Sequence, residues 1–144
     1  MSALYFGTNN VSAQGWCMGS GAGPWAMIDI ENGIWAGNCT RSINAANEPL
    51  PFPFATAMVK DQAGGFALKG GDATAGALKT MYDGPRPSAY PHILKQGSLI
   101  LGIGGDDSHA GIGTFFEGAV VAGISSDATD ALLAEDIKNV GYGK

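Results

Sequence analysis

Short apolar runs with β character, broken at close intervals by glycine-rich turns, constrain this chain more than any other feature. The runs are Ala3–Phe6, Trp25–Ile30, Ile34–Ala36, Phe54–Val59, Phe66–Lys69, Ala77–Tyr82, Ser98–Ile103 and Thr114–Ile124. Between them lie Gly19-Ser20-Gly21-Ala22-Gly23-Pro24, Glu31-Asn32-Gly33, Ala63-Gly64-Gly65, Asp83-Gly84-Pro85 and Gly104-Gly105-Asp106-Asp107. Strands of this length joined by turns of this chemistry predict an all-β chain, an antiparallel β-sandwich of the jelly-roll or concanavalin-like kind. Asn32-Gly33 between two apolar runs is the signature of a tight hairpin. Pro85, Pro87 and Pro91 mark a rigid surface loop, because proline donates nothing to a sheet ladder.

One helix is expected near the end. Ser126 or Asp127 caps it, Asp130 adds negative charge to its first turn, Lys138 stands in its last turn and Gly141 closes it. Leu132, Leu133, Ile137 and Val140 recur at helical spacing, which predicts packing across one edge of the sandwich. No internal repeat or domain boundary is visible, so residues 1–144 read as one domain.

With 45% hydrophobic and only 15% charged residues, the chain has material for a core and too little charge for disorder. Its 23 glycines follow no fixed period, which excludes collagen. The net charge of -5, without any Lys/Arg cluster, argues against nucleic acid and suits a neutral partner such as a sugar. No apolar run approaches the roughly 20 residues of a membrane span. Met1–Gly7 lacks the basic and apolar regions of a signal peptide, so the chain stays in the cytoplasm, leaves by another route, or has been trimmed. Without a visible secretion signal, Cys17 and Cys39 are expected as free thiols, a bridge being the alternative. His92 and His109 are too distant in sequence for zinc spacing, and no metal or cofactor is expected.

Two acidic segments carry the candidate chemistry. In Asp29-Ile30-Glu31-Asn32-Gly33, strand alternation points Asp29 and Glu31 to the same side. In Gly102-Ile103-Gly104-Gly105-Asp106-Asp107-Ser108-His109, carboxylates follow an apolar strand in a turn whose glycines permit close approach. Carboxylates from two loops are what glycoside hydrolysis requires, one ionised toward the anomeric carbon and one protonated toward the leaving oxygen. Trp16 and Trp25 offer flat apolar faces of the sort sugars stack on. Taken alone, aspartates in turns are also ordinary solvated loop residues.

Several stretches resemble, in order, segments of the α-L-arabinofuranosidases of glycoside hydrolase family 54. They are Gly21–Gly33, Phe66–Ala73 with Gly76-Ala77-Leu78, Gly84–Tyr90, Gly97–Asp107, Gly113–Gly118 and Ser125–Thr129. The resemblance implies a β-sandwich and a retaining mechanism that releases terminal α-L-arabinofuranosyl groups from arabinan or arabinoxylan. By position, Glu31 matches the family's nucleophile and Asp106 its general acid/base. Trp16, Asp29 and Asn32 match residues lining the arabinose pocket, and Gly105 stands beside them next to Asp106.

The chain resembles only the C-terminal half of the family's catalytic domain. It lacks the upstream Cys-Cys pair that forms part of the family's sugar pocket. The expected partners are therefore an arabinose-containing glycan and either further copies of the chain or another chain completing the sandwich. The implied location is extracellular or surface-associated. The competing reading is a non-catalytic carbohydrate-binding or assembly module, such as a virion or cell-surface decoration protein on the same fold.

Overall fold

The computed structural model describes residues 2–9, 16–30, 33–94, 97 and 111–144. Its strands are β1 (Ala3–Gly7), β2 (Cys17–Gly19), β3 (Trp25–Asp29), β4 (Ile34–Trp35), β5 (Ser42–Asn44), β6 (Ala55–Gln62), β7 (Gly65–Asp72) and β8 (Lys79–Gly84), followed by the helix α1 (Asp127–Val140). The strands form a five-stranded sheet, β1-β3-β4-β2-β5, and a three-stranded sheet, β6-β7-β8. The sheets pack through β1 and β3 on one side and β6 and β7 on the other. This is the expected β-sandwich with one C-terminal helix. The first sheet is mixed, because β2 runs parallel to both β4 and β5.

Trp25, Met27, Ile28 and Ile34 of the first sheet share one apolar cluster with Phe66, Leu68 and Met81 of the second. All of β3 is buried, as an interior strand covered on both faces must be, and its sequence is correspondingly a continuous apolar run ending in Asp29. In the second sheet, β6 and β7 pair from Ala55↔Asp72 to Gln62↔Gly65, so Ala63 and Gly64 form the reversal. Gly65 is obligatory here: a Cβ would lie 2.1 Å from the carbonyl oxygen of Gly84 on the neighbouring strand.

Several expectations are corrected or fall on residues outside those described. The run Thr114–Ile124 forms no strand. A strand requires a neighbour for its backbone groups, and among the described residues this stretch pairs with none, the isolated bridge from Gly111 to Gly7 lying just before it. It lies exposed instead, held by Phe116 against Phe54 and Tyr142 and by the Tyr142 hydroxyl donating to Glu117 at 2.7 Å. The run Ser98–Ile103 lies outside the described residues, apart from which β2 and β5 are strands that the apolar pattern did not predict.

The helix is also held differently from expectation. Ser126 caps it by accepting from the Thr129 N–H at 3.1 Å, and Gly141 closes it with φ 84°. Yet Leu132, Leu133 and Val140 are exposed, while Asp130 and Ala134 are the buried residues. The anchor is ionic. The Asp130 carboxylate is 2% exposed and meets Lys60, Lys69 at 2.6 Å and the Ser125 hydroxyl at 2.5 Å. Lys69 also contacts Asp127 at 2.6 Å. Burial pushes Asp130 upward, but hydrogen bonds from Lys60, Lys69 and Ser125 together outweigh it and hold the pKa at about 2. Burial likewise pushes Lys69 down, and the carboxylates of Asp127 and Asp130 overcome it to leave its pKa raised.

Cys17 and Cys39 are bonded to each other, contrary to the expectation of free thiols. The sequence pattern could not decide this, since it requires knowing that β2 lies beside the loop after β4. The bridge joins residues 22 apart in sequence and fixes that loop against the buried Cys17 strand. Reduction, or Cys39→Ser, is expected to cost about 3 kcal/mol by restoring loop freedom to the unfolded chain. Denaturant titrations with and without reductant measure this, and coincident midpoints would contradict it.

Candidate active site

The site is built on the β3–β4 hairpin. Asp29 pairs with Ile34 across it, and the Ile30 N–H donates to the Gly33 carbonyl at 2.9 Å, so the chain reverses between these two residues. Glu31 and Asn32 lie outside the described residues, as do Gly105 and Asp106. Of the expected site residues, Trp16 and Asp29 are described. Asp29 is fully buried at the end of β3, and Trp16 is 6% exposed just before β2.

Trp16 meets the hairpin at Gly33. A Cβ on Gly33 would lie 3.0 Å from Nε1 of Trp16 and 2.6 Å from Nε1 of Trp35. Two indoles thus close on the backbone at the hairpin's return, where only glycine leaves them room. The structure therefore brings Trp16 to the same hairpin that carries Asp29, which the sequence positions alone did not require.

Trp16 also walls a cleft of about 230 Å³ with Trp35, Thr40, Arg41, Ser88 and Tyr90. Each comes from a differently fixed element. Trp35 ends β4, and the Tyr90 ring packs against it with centroids 5.2 Å apart. Thr40 and Arg41 follow the bridged Cys39 and precede β5. Arg41 has φ 50°, a left-handed conformation that costs an L-residue roughly 1–2 kcal/mol and persists only where neighbours over-determine it. The disulfide on one side and β5 on the other supply that constraint. Ser88 and Tyr90 belong to the proline-rich loop, which is pinned by three contacts: the Tyr82 hydroxyl donates to the Pro85 carbonyl at 2.6 Å, the Tyr90 N–H to Pro87 at 2.9 Å, and Arg86 pairs with Asp61. Ser2 donates to the same Asp61 at 2.7 Å, tying the start of the chain to this loop.

Aromatic faces beside hydroxyls and a guanidinium are chemistry suited to a sugar. Sequence reading missed Trp35, Arg41 and Tyr90. Trp35 reads as ordinary strand core and Arg41 as solvated surface. Tyr90 stands in the Gly84–Tyr90 segment that carries the family resemblance, and that was the one available signal.

The chain's relatives converge on one chemistry. Residues 1–143 match the family model described as Alpha-L-arabinofuranosidase B, catalytic. A probable α-L-arabinofuranosidase B of Aspergillus flavus is 42% identical over 144 residues, covering 99% of this chain and 28% of that protein. An arabinofuranosidase/β-xylosidase of Trichoderma koningii is 43% identical with the same coverage, 99% and 28%. Among solved structures, a GH54 α-L-arabinofuranosidase soaked with a cyclic sulfate inhibitor superposes with TM-score 0.83 at 39% identity, covering 96% of this chain and 28% of that one. An arabinofuranosidase complexed with arabinofuranosyl-α-1,2-xylobiose gives TM-score 0.83 at 38% identity, again covering 96% and 28%. The chain thus spans little more than a quarter of the length of the relatives it matches.

Proposed function

Since this chain belongs to the α-L-arabinofuranosidase B catalytic family, we propose that it is the part of a retaining arabinofuranosidase that carries both catalytic carboxylates. The substrate class is a glycan with terminal α-L-arabinofuranosyl groups, of the arabinan or arabinoxylan type. The observation that carries this reading is the match along nearly the whole chain to relatives named for that activity. The gathering of Trp16 and the Asp29 hairpin around Gly33 supports it.

In this mechanism, Glu31 attacks the anomeric carbon as a carboxylate while Asp106 protonates the departing glycosidic oxygen. The C1–O bond breaks and an ester to Glu31 forms. Water then adds to C1 as Asp106 takes its proton, and Glu31 leaves. Retention requires the two carboxyl groups roughly 5–5.5 Å apart. Asp106 needs a raised pKa to hold its proton beside an ionised Glu31. Trp16 encloses the furanose ring, and Asp29, Asn32 and Gly105 complete the near wall of its pocket. The test is turnover of an aryl α-L-arabinofuranoside by the protein together with any chain that remains bound to it. Absence of turnover would sink the reading. No observation here favours the non-catalytic decoration role.

Residues 1–144 act in this reading as one unit, the later half of a catalytic domain, completed by further protein. Support comes from the apolar surface left uncovered: Phe115, Phe116, Val120, Val121, Leu132 and Val140 are all more than half exposed. Where exposed apolar side chains join into a patch, they mark an interface. Light scattering is expected to report an oligomer or a complex with a second chain, and a stable monomer would contradict it. The Cys17–Cys39 bridge supports an oxidising, extracellular location. Among the described residues no helix is long and apolar enough to cross a membrane.

A further inference from the structure

We propose that the cleft between Trp16, Trp35, Arg41 and Tyr90 is a subsite for a sugar bearing a carboxylate, a hexuronate. It rests on the arabinofuranosidase reading only in taking that sugar to be part of the same glycan. At about 230 Å³ the cleft is below the roughly 300–1,000 Å³ of drug-sized sites and suits a single ring. Three aromatic side chains, Trp16, Trp35 and Tyr90, line it, and Thr40 and Ser88 supply hydroxyls.

Arg41 selects for the anion. Among the described residues, Lys60, Lys69, Lys79, Arg86 and Lys138 each sit in an ion pair. Arg41 has none, nor does Lys144 at the end of the chain, although the chain as a whole carries an excess of acidic groups, at net -5. Its guanidinium stands exposed on the cleft wall, on a left-handed backbone set by the neighbouring disulfide. A planar fork of N–H donors matches a carboxylate in two parallel hydrogen bonds, which a neutral sugar does not reproduce.

The experiment follows the tryptophan indole N–H signals by nuclear magnetic resonance while the chain is titrated with methyl α-D-glucuronoside, methyl α-D-galacturonoside and the neutral methyl α-D-glucoside. Trp25, whose indole donates to the Ser20 carbonyl at 2.6 Å in the core, serves as the internal control. A uronoside is expected to shift Trp16 and Trp35 but not Trp25, and to bind at least about tenfold more tightly than the glucoside. Arg41→Gln should abolish that difference, and Arg41→Lys should restore part of it. Arg41 is exposed, so both variants are expected to keep the Trp25 signal of the folded parent. Equal binding of charged and neutral sugars, an unaltered preference in Arg41→Gln, or no shift at Trp16 and Trp35 would each overturn the proposal. Uronoside binding in a protein without arabinofuranosidase turnover would leave the subsite standing and the catalytic reading fallen. Turnover without uronoside preference would do the reverse.

Discussion

Replacing Asp130 with alanine is expected to lower the stability of the folded chain by about 3–5 kcal/mol, because it leaves two lysines in a nearly dry site without their one buried counter-charge. Lys60 and Lys69 both direct their ammonium groups at this carboxylate, and their side chains are 9% and 8% exposed. What remains is Asp127, whose side chain is 89% exposed and lies 2.6 Å from Lys69 and 3.6 Å from Lys60, and the Ser125 carbonyl, which accepts from Lys60 at 2.9 Å. A loss of that size corresponds to a fall in Tm of roughly 10–20 °C for a chain of this length. Asp127→Asn should change stability by no more than about 0.5–1 kcal/mol, the scale of a solvent-screened pair. Replacing Lys60, Lys69 and Asp130 together by Met, Met and Leu should recover most of the loss, since it removes the stranded charges along with the bond. An Asp130→Ala protein within about 1 kcal/mol of the parent would show that the helix is held by something else.

The same cluster sets a pH signature. Asp130 has a folded pKa lowered to about 2, below the ordinary carboxylate value of about 3.9 in the unfolded chain. Its contribution is therefore fully present above about pH 4 and disappears as pH falls through about 2. Stability measured down this range should drop less steeply in Asp130→Asn than in the parent, because the variant has already lost that proton-linked term.

The second large effect is catalytic. Glu31→Gln should reduce kcat/KM on an aryl α-L-arabinofuranoside by about 10³-fold or more, since an amide at that position does not form the ester. Asp106→Asn should cost about 10²–10⁴-fold on a glycan whose leaving oxygen needs a proton. With a 4-nitrophenol leaving group the first step needs little acid, so the Asp106 variant should form the ester and then stall. Added azide should restore its turnover and give the α-arabinosyl azide. In the Glu31 variant azide should instead displace directly and give the β product. If the two variants respond alike, their roles are not those assigned.

How much of this was legible varied with the range of the interactions involved. The long apolar runs that became β3 and β7 were plain, because burial on both faces writes itself into consecutive residues. The three-residue strands β2 and β5 were not, being too short to display a period of two. Thr114–Ile124 has strand composition, but a strand forms only where a neighbour accepts it, and composition does not reveal the neighbour. The helix ends were readable from Ser126 and Gly141, which act locally. Its attachment was not: Asp130 looked like a first-turn charge, and its partners Lys60 and Lys69 lie some 60–70 residues earlier in sequence. In the site, Asp29 stood out by strand alternation and Trp16 as a flat apolar face, and the family resemblance gave both their place at the arabinose pocket. Trp35, Arg41 and Tyr90 become a cleft only once a disulfide and a proline-rich loop bring three segments together.

The assignment of Glu31 is tested most directly by covalent capture. A cyclic sulfate built on the arabinofuranose ring presents an electrophilic C1; attack by a carboxylate opens the sulfate and leaves an ester on the attacking residue. The protein, purified natively with any chain that remains bound, should gain one inhibitor mass, and peptide mapping should find it on the Glu31 side chain. The Glu31→Gln protein should gain none. Labelling of a different carboxylate, or labelling that persists in Glu31→Gln, would contradict the proposed nucleophile, and no labelling of the intact protein would contradict the catalytic reading as a whole.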